Sequence, residues 1–200
     1  DSITYYKDIA NNLLRNAIRV LKRTEEAYLD YDTGISRKPA TLLELNDLLH
    51  NTSNRGRMMV NEFLMIPAIT PAEKKENEDV ARYFLDVYYA DRSVVWQNSS
   101  GVRTQVSNLI NNEYLRKVLN PKNGKSDINF NDIVENEGKI FITTAQGALQ
   151  NLNKYLGFFL MFSIQAAIMA RSGNEETRKP CYWYLDEFQT YANSGLSTIR

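Results

Sequence analysis

Apolar residues in the first part of the chain recur with a helical period. Between residues 5 and 30, Ile9, Leu13, Ala17, Leu21 and Tyr28 approximate an i, i+4 stripe that Leu14 and Ile18 widen, which predicts an amphipathic helix. Turn-forming residues break the pattern at Asp32-Thr33-Gly34 and again before Pro39. Thr41, with Glu44 three residues on, marks the start of a second helix whose apolar face is Leu42, Leu45, Leu48 and Leu49. A further segment with Met58, Met59, Phe63 and Leu64 ends before Pro67. Thr70-Pro71-Ala72-Glu73 is the plainest helix start: threonine suits the N-cap, proline the first helical position, and glutamate the reciprocal cap. Val80, Phe84, Tyr88 and Val95 continue that face, with an interruption near Asp91-Arg92-Ser93. After Gly101, the residues Val102, Val106, Leu109, Ile110 and Leu115 predict another amphipathic helix, terminated by Asn120-Pro121-Lys122-Asn123-Gly124. No segment here reads as a strand, so residues 1–126 are expected to form an all-helical domain.

The period then changes. Lys139-Ile140-Phe141-Ile142-Thr143-Thr144 is a short β-branched and aromatic run that reads as a buried strand. Residues 151–171 read as an apolar helix, and Ser172-Gly173-Asn174-Glu175-Glu176 as a polar loop. Cys181-Tyr182-Trp183-Tyr184-Leu185 follows as a second strand, with Trp183 and Tyr184 alternating toward helices on opposite faces. Strand, helix, strand predicts a βαβ unit of parallel strands joined by a right-handed crossover. The fold class expected is mainly α: an all-helical domain, 1–126, followed by a partial α/β segment, 127–200. Internal repeats and low-complexity tracts are absent from the sequence.

Composition narrows the chemistry. Hydrophobic content of 43% with 24% charged residues is ordinary for a globular chain. Lys+Arg and Asp+Glu both number 24, so any surface for nucleic acid must be a local patch. The single cysteine, Cys181, excludes an internal disulfide, and with the single histidine, His50, it cannot assemble a four-ligand zinc site. A lone thiol favours a reducing compartment. Cys181 opens an apolar run and is expected to be buried, His50 to meet a helix C-terminus, and Met58 and Met59 to fill core. No signal-peptide pattern is present, and the longest apolar stretch, Tyr155 to Ala170, is 16 residues interrupted by Ser163 and Gln165, short of a membrane span. Beginning at Asp1 and stopping at Arg200 in mid-pattern, the sequence reads as a piece of a longer protein.

The best candidate site is Tyr184-Leu185-Asp186-Glu187-Phe188. Ligands of open parallel sheets sit beyond the carboxyl ends of the strands, and Asp186 and Glu187 emerge at that end. In a P-loop ATPase the first such carboxylate orients the Mg²⁺ shell, usually through water, and the second polarises the attacking water. Two acids ending a strand as solvated loop residues is the simpler alternative. Such ATPases also need G-x-x-x-x-G-K-[ST] between a strand and a helix. Gly124-Lys125-Ser126 is a decoy for it: Leu119 stands where the first glycine belongs, Pro121 lies inside the would-be loop, and a helix precedes it. The nucleotide site is therefore incomplete in this sequence. Thr143 and Thr144, ending the first strand, are weaker candidates for a polar contact there.

A helical block, a Lys-Ile-Phe-Ile strand, a long apolar helix and Tyr-Leu-Asp-Glu-Phe, in that order, resemble the type IV secretion coupling proteins, the conjugative DNA-transfer ATPases. Local similarity extends to Gly101-Val102-Arg103-Thr104-Gln105-Val106-Ser107-Asn108-Leu109, Asn112-Glu113-Tyr114-Leu115 and Asp186-Glu187-Phe188-Gln189-Thr190-Tyr191-Ala192, in the manner of Gram-positive conjugative elements. The resemblance implies a membrane-anchored bacterial protein whose cytoplasmic RecA-like motor is interrupted by an all-α insertion. The phosphate loop would precede that insertion and the Asp-Glu strand follow it. It implies that Asp186 is the Mg²⁺-linked aspartate and Glu187 the catalytic glutamate, with ATP and Mg²⁺ as cofactors of the full-length protein. The trans-acting arginine of the family would lie beyond Arg200. The implied partners are a relaxase–DNA complex or an accessory protein, single-stranded DNA, secretion-channel proteins and further copies of the same chain in a ring.

One local feature is compatible with such a partner. Arg15, Arg19, Lys22 and Arg23 share a helical face opposite the apolar stripe, where they could neutralise phosphates. An ordinary solvated face, diluted by Glu25 and Glu26, is the simpler and favoured reading of the row. A different class of function also stays open: a helical protein-interaction adaptor in which Asp186 and Glu187 are surface acids.

Overall fold

The first helix follows from its apolar spacing. Leu13, Ala17, Val20, Leu21 and Thr24 form the buried line of α1 (Ser2–Ala27), and the Thr24 hydroxyl donates to the Val20 carbonyl at 2.7 Å. The computed structural model describes residues 2–27, 29–30, 35–36, 40–120, 126–136, 138–142, 146–149, 152–174 and 176–186. Tyr28, expected to extend α1, lies outside them. The chain divides into two compact units, Asp1–Lys125 and Ser126–Arg200.

In the first unit, β1 (Leu29–Asp30) and β2 (Ile35–Ser36) pair antiparallel, Leu29 opposite Ser36. This ladder corrects the expectation of a strand-free block. Two residues a side are too few for an alternating pattern to register. Helix α2 (Leu42–His50) starts as the sequence predicts, with the Thr41 hydroxyl accepting from the Glu44 N–H at 3.3 Å. The Glu44 carboxylate accepts from Arg55 at 2.9 Å. In the last turn, His50 Nδ1 lies 3.1 Å from the Asn46 carbonyl, the helix-end contact its position predicts. Helix α3 (Arg55–Met65) buries Met59, Val60 and Phe63 but leaves Met58 exposed, so only one of the two expected core methionines is one. Adjacent positions on a helix face 100° apart, and only Met59 falls on the inward stripe.

Helix α4 (Pro71–Arg82) has Pro71 in its first turn, and the Thr70 hydroxyl accepts from the Glu73 N–H at 3.1 Å. The chain then widens into a π-helical turn, Tyr83–Tyr88, before breaking ahead of α5 (Val94–Asn98). Where the sequence predicts one helix after Gly101, terminated at Asn120, there are two, α6 (Ser100–Asn111) and α7 (Glu113–Leu119). Asn112 takes extended backbone (ψ 120°) and its side chain accepts from the Leu115 N–H at 3.0 Å, so it restarts the helix as an N-cap. Helix α1 packs on α2 and α3, and α2 on α3 and α6. Leu13, Leu48, Phe63, Phe84 and Tyr88 are fully buried at the centre. Each large apolar side chain contributes about 1.5–3 kcal/mol by leaving water.

In the second unit, α8 (Phe130–Glu135) is capped by Asn129, whose side chain accepts from Asp132 at 3.2 Å. Helix α9 is Gln146–Leu149, and α10 (Asn153–Met169), the expected apolar helix, packs on α8. It buries Leu156 and Met161 yet exposes Phe159, Phe162 and Met169, as a helix apolar on all sides must when covered on one. No helix among the described residues is long and apolar enough to cross a membrane. The βαβ unit is not formed among the described residues: 139–142 and 181–185 join no ladder. Phe141 is 97% exposed and Tyr184 87%, and Cys181 is exposed where its apolar run predicts burial. A parallel strand is buried only when neighbouring strands and helices cover both faces, and these segments lack such cover here. Thr143 and Thr144 lie outside the described residues.

Candidate functional site

Asp186 occupies a turn directly after the Cys181–Leu185 segment and is exposed, while Leu185 and Trp183 before it are half-buried. Cys181, Tyr182 and Tyr184 of the same segment are exposed as well. Glu187 lies outside the described residues, as does the run to Ala192. Among the described residues no group of three or more His, Cys, Asp or Glu side chains could hold a metal ion. Gly124 and Lys125 of the decoy loop lie outside the described residues. The third member, Ser126, closes a local turn: its hydroxyl donates to the Ile128 carbonyl at 2.9 Å and accepts from the Ile128 N–H at 3.2 Å.

The basic row of α1 is largely engaged within the protein. Arg19 pairs with Glu76, and its Nε and Nη2 donate to the buried Asn77 side chain at 3.3 and 3.2 Å. Arg23 pairs with Glu73 and donates to the Pro67 carbonyl at 2.7 Å. Lys22 pairs with Glu25 at 3.1 Å along the same helix, and Arg15 is exposed. Arg19 and Arg23 therefore hold α4 against α1, which leaves a much smaller cationic surface than four aligned charges suggest. The Glu73 carboxyl is held below its ordinary range chiefly by the Ile69 N–H it accepts at 2.6 Å, and further by the Arg23 charge.

A buried polar network escapes the sequence reading. Arg103 in α6 is buried, with its guanidinium 4.0 Å from the centre of the Trp96 ring. Its Nη1 donates to the Trp96 carbonyl at 2.8 Å, the Ser99 hydroxyl at 2.9 Å and the Tyr88 hydroxyl at 3.2 Å. Tyr88 in turn donates to the Leu49 carbonyl at 2.8 Å, so one cation ties the end of α2 to the π turn, α5 and α6. The available signal is spacing: Ser99, Arg103, Val106 and Ile110 follow i, i+4, i+7, i+11, placing Arg103 on the buried stripe. Beside it, the Tyr89 hydroxyl donates to the Leu48 carbonyl, and Arg57 donates to the Tyr89 carbonyl at 2.8 Å. Burial pushes the Tyr83 phenol up to about 12 and raises Tyr88 and Tyr89 as well. These groups brace the helices against one another.

Comparison of the chain with protein-family models, curated proteins and solved structures gives no match.

Proposed function

We propose that the chain is a cytoplasmic portion of a membrane-anchored conjugative coupling ATPase, comprising a substrate-recruiting helical domain and part of a RecA-like motor. The observation that carries this reading is the run Tyr184-Leu185-Asp186-Glu187-Phe188, set after an apolar segment and preceded by Lys139-Ile140-Phe141-Ile142 and the apolar helix α10. In the full-length protein, Mg²⁺ would neutralise the phosphate charge that develops on transfer. Asp186 would orient the water shell of that ion, and Glu187 would accept a hydrogen bond from the attacking water and hold it in line. A ring of such subunits would drive single-stranded DNA or a relaxase–DNA complex through a type IV secretion channel. The 200-residue chain, which has no phosphate loop, is expected to hydrolyse no ATP alone.

The second reading, a helical interaction adaptor, draws support from one observation: residues 139–142 and 181–185 join no sheet among the described residues. Reading the coding sequence ahead of Asp1 separates the two. The ATPase reading expects transmembrane helices and then G-x-x-x-x-G-K-[ST] following a strand pattern. A coding sequence that supplies no such loop favours the adaptor.

A further inference from the structure

We draw no further inference here: the strongest candidate, the apolar patch that Leu64, Met65 and Ile69 expose around the α3–α4 loop of the helical unit, carries nothing because nothing in the structure shows what covers it.

Discussion

Gly56 and Tyr89 illustrate how tightly single residues are constrained in the helical unit. A Cβ at Gly56 would collide with the Tyr89 hydroxyl and come within 2.9 Å of the Leu48 carbonyl. Alanine gains about 1 kcal/mol of helix propensity over glycine, but overpacking costs roughly 1–3 kcal/mol, and the close backbone oxygen cannot rotate away. Gly56→Ala is therefore expected to lower stability in urea denaturation, and Tyr89→Phe to reduce that loss in a double-mutant cycle. A more stable Gly56→Ala protein would refute the packing argument. Arg103→Met keeps the stem but removes the cation from Trp96 and the hydrogen bonds it donates to the Trp96 carbonyl and the Ser99 and Tyr88 hydroxyls, at an expected cost of about 1–3 kcal/mol. Arg15→Ala, at an exposed site, should change stability by less than about 0.5 kcal/mol. Tyr83 has its pKa raised from 10.0 to about 12, so unfolding releases a proton that the folded state retains. Its contribution is fully present below pH 10 and is lost as pH rises toward 12. Denaturation followed across that range should show the decline, and Tyr83→Phe should make it shallower.

At the scale of elements, helix starts were the most legible feature because a cap is a local bargain between one side chain and one N–H. Thr41 and Thr70 cap where their sequence pattern predicts. Thr70→Ala is expected to cost roughly 0.5–2 kcal/mol, measurable by thermal denaturation. The break at Asn112 was not legible, since Val106, Leu109 and Leu115 keep an apolar spacing that one continuous helix would also satisfy. The α1–α4 contact was equally hidden, because the partners of Arg19 and Arg23 lie more than forty residues along the chain. Its pH response is directional. The folded Glu73 carboxyl titrates below its ordinary 4.5, so its stabilisation is present above that value and is lost as pH falls through the lowered one. Glu73→Gln should weaken the acid dependence of stability, and an unchanged acid limb would contradict the role assigned to the Ile69 and Arg23 contacts.

For the whole molecule, the mainly helical character was readable from apolar period alone, while the α/β part was not realised among the described residues. Ile140, Phe141 and Tyr184 have strand composition but stand exposed, because strand propensity takes effect only when other strands supply the ladder. Asp186 was legible as the acid that follows an apolar run, and Glu187 beside it lies outside the described residues. Glu187→Gln in the full-length protein tests the role of the Asp186–Glu187 pair most directly. Steady-state ATP hydrolysis, measured beside nucleotide binding, is expected to fall by roughly 10²-fold or more, the scale of a lost acid–base or water-positioning group, with nucleotide affinity nearly unchanged. Wild-type hydrolysis in that variant would contradict the assignment of Glu187 as the water-activating residue.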